Sequence, residues 1–182
     1  MSYPTMPLAD QHAQRTFRAL VTALSYPGTL VPVPPGDYGA LGAVAQVLLD
    51  LETSYCAPDP ELARWLNTTG ARAAAVERAA YQFYPQLAAA DLAELAQAPV
   101  GSYMFPDTGA TLVLGCTLGS GAQLALRGPG IADMTTLHVA DLPAGFWQLR
   151  ADAIRYPLGW DVILCAADTI VGLPRTTQIV VR

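Results

Sequence analysis

The strongest constraint on the fold is a pair of apolar runs near the C-terminus with a short polar turn between them. The first run spans 160–166 and the second 169–173, and both are rich in valine, isoleucine and leucine. Runs of this length on either side of a turn predict two antiparallel strands joined as a β-hairpin. Apart from the turn and Thr169 beside it, polar residues stand at the outer ends, where Asp161 follows a Pro-x-Gly corner and a Pro-Arg-Thr-Thr segment follows the second run. The centre of the hairpin is therefore structural, and its two ends are candidates for function.

The segment Pro174-Arg175-Thr176-Thr177 allows two interpretations. Proline fixes φ, so the segment can present the guanidinium of Arg175 beside the hydroxyls of Thr176 and Thr177. Such a set of donors suits a carboxylate or a phosphate. In the alternative, Arg175 is a strand-end arginine paired with a local acid, for which Asp161 is the candidate, and the threonines are present for their β propensity.

The length of the hairpin turn decides which residues face each other across the strands. A two-residue turn at 167–168 places Asp161 opposite Pro174 and brings Arg175 near Trp160. A three-residue turn places Asp161 opposite Arg175 instead. The sequence is compatible with both turns, so the relation between this acid and this arginine stays open at this point.

Strands and helices alternate along the rest of the chain. Helices are predicted at 9–24, 41–51, 59–70, 86–96 and 143–155. Further strands are predicted at 29–33, 53–56, 81–84, 135–140 and 178–181, and a second hairpin at 110–118 and 123–127 around Gly119-Ser120-Gly121. Hairpins give antiparallel pairs and crossovers give parallel ones, so the pattern predicts an α/β layered domain with a mixed sheet. We expect residues 1–182 to form a single domain.

The first predicted helix carries an apolar stripe and two arginines. Phe17, Leu20, Val21 and Leu24 follow helical spacing and are expected to face the core. Arg15 and Arg18 lie one turn apart, and we expect both on the solvent side. Arg18 is also a candidate contact for an anion or a partner.

Composition excludes several kinds of chemistry. All ten basic residues are arginine, so no lysine is present to form a Schiff base with pyridoxal phosphate (PLP) or to complete a Walker phosphate loop. A formal charge of −5 argues against general nucleic-acid binding. Only 14% of the residues are charged, which favours a relatively apolar surface that partners cover, or alternatively a large core under an uncharged polar surface.

Cysteine and histidine usage predicts neither a disulfide framework nor a metal site. Cys56, Cys116 and Cys165 are far apart in apolar segments, which is typical of reduced thiols in a cytoplasmic protein. His12 and His138 are isolated and lack the spacing of metal ligands. The N-terminus lacks the basic and apolar regions of a signal peptide, and no segment is assigned to a membrane.

Several short motifs occur in a characteristic order between residues 8 and 181. They are Phe17-Arg18-x-Leu20, Ser25-x-Pro27-Gly28, Gly109-Ala110-Thr111-Leu112, Arg127-Gly128-Pro129-Gly130-Ile131, Pro157-Leu158-Gly159-x-Asp161 and Pro174-Arg175-Thr176-Thr177. This ordered set resembles the PhnH family, subunits of the bacterial carbon–phosphorus lyase core complex. The middle of the chain, about 57–100, is similar only in general character.

The resemblance implies a three-layer α/β/α sandwich similar to PLP-dependent transferases but without that cofactor. It implies a homodimer that assembles with PhnG, PhnI and PhnJ, and a role in coupling a phosphonate to the ribose of ATP with release of adenine. In the family the nucleosidase chemistry is assigned to PhnI, so no catalytic residue is expected in this chain. We therefore expect an accessory subunit, or alternatively a nucleotide- or phosphonate-binding enzyme subunit with Arg175, Thr176, Thr177, Asp161 and Arg18 at an anion site.

Overall fold

A computed structural model describes residues 7–182 of the chain. The first six residues, which contribute to the expectation about a signal peptide, lie outside the described residues. The α-helices are α1 (Leu8–Ser25), α2 (Gly39–Leu48), α3 (Pro60–Leu66), α4 (Leu92–Leu95) and α5 (Phe146–Ala153). Among these described residues, no helix combines the length and the apolar character that crossing a membrane requires.

Within residues 7–182, ten strands form two sheets. The strands are β1 (Val31–Pro32), β2 (Ser54–Cys56), β3 (Arg72–Ala73), β4 (Tyr81–Tyr84), β5 (Thr111–Gly115), β6 (Thr117–Arg127), β7 (Thr135–Ala140), β8 (Asp161–Ala166), β9 (Thr169–Leu173) and β10 (Gln178–Val181). The larger sheet has seven strands in the order β1-β9-β8-β5-β4-β2-β3, and the smaller has the order β10-β6-β7. Strands β3, β2, β4, β5 and β8 are parallel, whereas β9 and β1 are antiparallel to their neighbours. The predicted α/β fold with a mixed sheet is confirmed.

The larger sheet separates two apolar cores. On one face, buried residues of α1, α2 and α3 pack against side chains of the sheet such as Phe83, Val113 and Ile163. On the other face, residues of β6, β7 and α5 pack against Leu112, Leu164 and other sheet residues of the opposite orientation. Because successive side chains of a strand point to opposite faces, buried strands such as β5 and β8 serve both cores and are apolar almost throughout.

Helix α3 illustrates how local sequence sets the boundaries of an element. Asp59 caps α3, since its side chain accepts a hydrogen bond from the backbone N–H of Leu62 at 2.7 Å and Pro60 follows at the first helical position. The chain then leaves the helix through a short 3₁₀ segment that ends at Gly70, which has a φ of +86°. The predicted start and end of this helix are confirmed.

The predicted apolar stripe of α1 is only partly buried. Leu20 lies in the core, but Phe17 is 58% exposed, and Val21 and Leu24 also face outward. The buried face is made of small residues instead, including Ala19 and Ala23. A side chain at Gly172 of β9 would meet the backbone carbonyl of Ala23, so the helix approaches the sheet too closely for large side chains there.

Two other predictions are wrong. Residues 110–127 do not form a hairpin, because β5 is parallel to β4 and β8 in the larger sheet while β6 belongs to the smaller one. The Gly119-Ser120-Gly121 segment interrupts the pairing of β6 with β7, where the register shifts between Leu118 and Ala122. The helix predicted at 86–96 is reduced to a 3₁₀ turn and the four residues of α4.

Candidate functional site

The outer ends of the C-terminal hairpin meet at the edge of the larger sheet where the parallel strands begin. Strand β8 starts at Asp161 and pairs with β9 in a register that places Val162 opposite Leu173, so Asp161 comes opposite Pro174. The connection between the strands is the two-residue turn, in which Ala167 has a φ of +47°. Asp161 therefore does not face Arg175 directly across the hairpin.

Asp161 and Arg175 nevertheless form an ion pair. Oδ2 of Asp161 accepts a hydrogen bond from Nη2 of Arg175 at 2.7 Å, and Nε of Arg175 lies 3.2 Å from both carboxylate oxygens. The backbone N–H of Arg175 also donates to Oδ1 of Asp161 at 2.7 Å. The arginine side chain is 13% exposed and that of the aspartate 28%, so solvent screens this pair only partly. A bidentate, backbone-supported pair of this kind fixes the chain where it leaves β9.

The remaining donors of Arg175 tie two loops to this ion pair. Nη1 donates to the carbonyl oxygen of Pro106 at 2.6 Å and lies 3.5 Å from that of Pro157. Pro106 belongs to the loop before β5, and Pro157 belongs to the turn before β8, which contains a cis Tyr156–Pro157 bond. We call the ion pair and these two carbonyl contacts the Arg175 clamp.

Glycine at position 109 makes the close packing around the clamp feasible. A Cβ at this position would lie 2.6 Å from the carbonyl oxygen of Gly159 and 2.9 Å from Nη1 of Arg175. The two loops are also joined by a backbone hydrogen bond from Gly159 to Val100 at 2.9 Å. The indole of Trp160 donates to the carbonyl of Ala98 at 3.2 Å beside them. Three of the sequence motifs thus form one structural unit.

The two threonines differ in their surroundings. Thr176 is half-buried, whereas Thr177 is 2% exposed. The hydroxyl oxygen of Thr177 is buried and has no hydrogen-bond partner among the described residues. Its backbone N–H donates to the carbonyl of Pro174 at 2.8 Å and closes the turn between β9 and β10.

Arg150 of α5 supports this turn from inside the protein and was not singled out from the sequence. The side chain is 3% exposed and donates to the carbonyls of Leu173, Pro174 and Thr177 at 2.8–3.3 Å. Nε of Arg150 is buried without a partner among the described residues. Burial lowers the pKa of Arg150 to about 10, and the negative charge of Asp161 opposes this shift.

The spacing of α5 contained the signal for this buried arginine. Arg150 follows Phe146 and Trp147 at helical intervals of four and three residues, and all three share the buried face. An arginine at such a position must find oxygen acceptors, and here it finds backbone carbonyls.

Arg18 lies apart from the Arg175 clamp. It is exposed on α1, as expected, and the structure does not bring it to Asp161 or Arg175. Its own motif instead precedes the Ser25-to-Gly28 segment, which packs against the Gly128-Pro129-Gly130 turn: a side chain at Gly130 would collide with the carbonyl of Ser25. Gly128 packs in turn against the carbonyl of Thr176. The glycine motifs are therefore packing elements between the two sheets.

The opposite edge of the larger sheet, where parallel strands end, contains a small pocket. It has a volume of about 170 Å³ and is lined by the start of α2 and by residues at the ends of β5 and β8, including Gly115 and Cys165. Ligands of open α/β sheets usually bind at this edge. However, burial raises the pKa of Cys165, and burial with the nearby Asp141 raises the pKa of Cys116 to about 12. Both thiols stay protonated at neutral pH, so neither is an activated nucleophile.

The arrangement of this site positions loops and leaves few donors free for a ligand. Most donors of Arg175 are used by protein oxygens, and the hydroxyl of Thr177 is buried under the turn. Within residues 7–182, no group of three or more histidine, cysteine or acidic side chains is arranged to hold a metal ion.

Comparisons with known proteins agree with the ordered motifs. A family model described as "Bacterial phosphonate metabolism protein (PhnH)" matches residues 7–180. HtxG of Stutzerimonas stutzeri, which is named as a C-P lyase subunit protein, is 37% identical over 171 residues, covering 91% of this chain and 85% of that protein. The alpha-D-ribose 1-methylphosphonate 5-triphosphate synthase subunit PhnH of Rhizobium meliloti (strain 1021) is 30% identical over 181 residues, covering 92% of this chain and 90% of that protein.

Proposed function

Since this chain belongs to the PhnH family of bacterial phosphonate metabolism proteins, we propose that it is an accessory subunit of a multi-subunit carbon–phosphorus lyase complex. The names of both relatives describe subunits, and each match covers at least 85% of the relative. In this proposal the chain supplies binding surfaces and structural support, while another subunit supplies the catalytic residues.

The observation that carries the accessory role is the internal use of Arg175. An arginine that binds a phosphate presents its fork of N–H donors to the ligand. Here Nε and Nη2 donate to Asp161, and Nη1 donates to the carbonyl of Pro106 at 2.6 Å. The Asp161 carboxylate also places a negative charge where an anion would have to bind. The residues predicted for an anion site are thus better suited to holding loops in place.

The finer parts of the proposal follow the family. The complex would couple an alkylphosphonate to the ribose of ATP with release of adenine, in the cytoplasm, with PhnG, PhnI and PhnJ as the other subunits. The chain would be a homodimer when alone, with residues 1–182 as one domain. Its two cores on either side of a mixed sheet are compatible with a three-layer α/β/α sandwich of the PLP-transferase type.

Co-purification tests the accessory role directly. The tagged chain is co-expressed with untagged PhnG, PhnI and PhnJ from the same organism, and the recovered proteins are identified by mass spectrometry. We expect recovery of all three in a constant ratio. Recovery of the tagged chain alone, at subunit concentrations where PhnG, PhnI and PhnJ recover one another, would refute the proposal.

The competing function is a nucleotide- or phosphonate-binding subunit with its anion site at Arg175, Thr176 and Thr177. It is favoured by the buried hydroxyl of Thr177 and the buried Nε of Arg150, since neither has a partner among the described residues. Isothermal titration with ATP and with methylphosphonate separates the two functions. Binding that Arg175→Ala abolishes with the fold intact, and that Arg127→Ala preserves, would favour the anion site, because Arg127 is an exposed arginine in a loose 4.0 Å ion pair. The absence of binding at millimolar ligand would refute it.

A further inference from the structure

The two loops held by the Arg175 clamp carry four large apolar side chains that face solvent. Tyr103, Met104 and Phe105 lie in the loop before β5 and are 75%, 80% and 56% exposed; Tyr156 lies in the turn before β8 and is 73% exposed. We call these four residues the aromatic platform. Such exposure is costly in water for residues of this size, unless another surface covers them.

The clamp brings the backbones of both loops to one place. A single nitrogen, Nη1 of Arg175, lies within 3.5 Å of the carbonyls of Pro106 and Pro157. Each of these prolines directly follows a residue of the platform, Phe105 or Tyr156. The tip of the first loop is a tight turn in which Ser102 and Phe105 exchange backbone hydrogen bonds at 3.1 Å. The platform is therefore mounted on a fixed base.

The area and composition of the platform fit a protein interface. If each side chain covers roughly 200 Å², the four expose roughly 550 Å² together. One partner of a standard interface buries about 800 Å². Tyrosine, phenylalanine and methionine are the residues that such interfaces concentrate at their centres. Loops ordered in advance also lose less entropy on binding.

The charges around the platform identify the kind of partner. One exposed acid, Asp107, follows the first loop, and one exposed base, Arg155, precedes Tyr156. A membrane or nucleic acid would select a basic rim, which is absent from these two loops in a chain with a net charge of −5. A second copy of the chain does not need the platform in order to bind, because Phe17 and Val21 of α1 provide another exposed apolar surface.

On these grounds we propose that the aromatic platform docks a different protein subunit, one that presents an apolar groove with a base facing Asp107 and an acid facing Arg155. The role of Arg175 and Asp161 is to hold the platform in its binding geometry. This inference rests on the proposed function, since it names the surface through which the accessory subunit joins its complex.

The test uses the full chain and the co-expressed PhnG, PhnI and PhnJ proteins as the probe. Tyr103→Ala/Met104→Ala is compared with Leu51→Ala, which removes an apolar side chain that is 84% exposed and outside the platform. In a titration, we expect the affinity of the double variant for the other subunits to be at least tenfold lower than that of the wild type, with an unchanged melting temperature. Leu51→Ala should bind with the affinity of the wild type.

A second pair of variants tests the positioning role of the clamp. Arg175→Lys keeps the charge but loses the fork, and we expect it to weaken binding at least threefold at 10 °C, with circular dichroism used to verify that each variant is folded. Leu66→Ala destabilises the buried part of α3 and should leave binding unchanged under the same conditions. Equal effects of Arg175→Lys and Leu66→Ala would overturn the positioning role.

The outcomes separate this inference from the proposed function. If the wild-type chain recovers none of the other subunits, the proposed function is wrong and the platform has no subunit to dock. If the wild type recovers them and Tyr103→Ala/Met104→Ala recovers them equally well, only the platform inference is overturned. Dissociation of a homodimer by the same double variant would also overturn it, since the occupant would then be a second copy.

Discussion

Replacing Asp161 with asparagine tests whether the Arg175 clamp stabilises the fold. The substitution keeps the size of the side chain and one acceptor oxygen, so the backbone N–H of Arg175 can retain its 2.7 Å hydrogen bond. It removes the negative charge that Nε and Nη2 of Arg175 contact and leaves a largely buried guanidinium without a counterion. The change therefore isolates the electrostatic part of the clamp.

The expected cost follows from the burial of the pair. Breaking a fully buried ion pair costs about 3–5 kcal/mol, and breaking an exposed pair costs about 0–1 kcal/mol. With Arg175 13% exposed and Asp161 28% exposed, the pair lies between these limits. We expect Asp161→Asn to lower the free energy of unfolding by about 2–3 kcal/mol. For a chain of this size that corresponds to a melting temperature lower by about 5–10 °C.

Urea unfolding followed by circular dichroism measures this cost, and Asp133→Asn provides the matched control. Asp133 is 90% exposed and 4.0 Å from Arg127, so its loss should cost less than about 0.5 kcal/mol. The m-value should be the same in all three proteins, because the surface exposed on unfolding does not change. A cost for Asp161→Asn below about 1 kcal/mol, or equal to that of Asp133→Asn, would refute the argument that the clamp is a stabilising unit.

Three further predictions follow from the geometry. Arg150→Ala opens a cavity and leaves three carbonyls without a buried donor, so it should cost about 3 kcal/mol in urea unfolding; a cost below 1 kcal/mol would contradict this. Gly109→Ala should cost about 2 kcal/mol because its Cβ would press on Arg175, whereas Gly36→Ala, which meets no atom within 4 Å, should be neutral; equal effects would count against it. With its pKa raised to about 12, the thiol of Cys116 should react with iodoacetamide about 10³-fold more slowly at pH 8 than in the urea-unfolded chain, and tenfold faster per pH unit up to about pH 11. A reaction rate that does not depend on pH would contradict this pKa. The same shift means that the stability contributed by the protonated thiol is fully present below about pH 9 and is lost as the pH rises toward 12, since the unfolded chain releases that proton first.

The sequence predicted the C-terminal hairpin well because its signals are local. Apolar runs on either side of a short turn have few alternative structures, and β8 and β9 form where expected. The relation between Asp161 and Arg175 was harder to predict. The turn is the two-residue one, yet the acid still reaches the arginine, because Arg175 stands just beyond the last paired residue and its long side chain folds back. A register alone does not determine such a contact.

The failed predictions have a common physical cause, which is pairing over long distances in the chain. The run before Gly119 resembles one strand of a hairpin, but β5 gains more by lying between β4 and β8 in a buried parallel sheet. In α1, the large apolar residues follow helical spacing as predicted. However, the close approach of the helix to Gly172 buries the face that contains Ala19 and Ala23 instead. Neither competing contact is visible within a local window of sequence.

The candidate site was found in part. Asp161 and Arg175 do meet, whereas Arg18 lies on another element, and its role in binding stays a prediction. Arg150 was missed because an arginine in an amphipathic helix is usually on its solvent face. Arg150 lies one turn after Phe146 and Trp147, on the same buried face of α5. This spacing departs from the usual preference and indicates a buried arginine in related chains.

The arrangement of β1 and β9 has a consequence for how the protein is made. Strand β1 pairs in the larger sheet with β9, and β10 closes the smaller sheet against β6, so residues near the C-terminus complete both sheets. The ribosome makes these residues after the strands that they pair with, although domains tend to fold from the N-terminus during synthesis. Until then α1 lacks the strand that it packs against, and its apolar residues remain available to chaperones or to other nascent chains. Folding of this subunit should therefore wait until β9 and β10 have emerged from the ribosome, and a translational pause before residue 169 should reduce its yield.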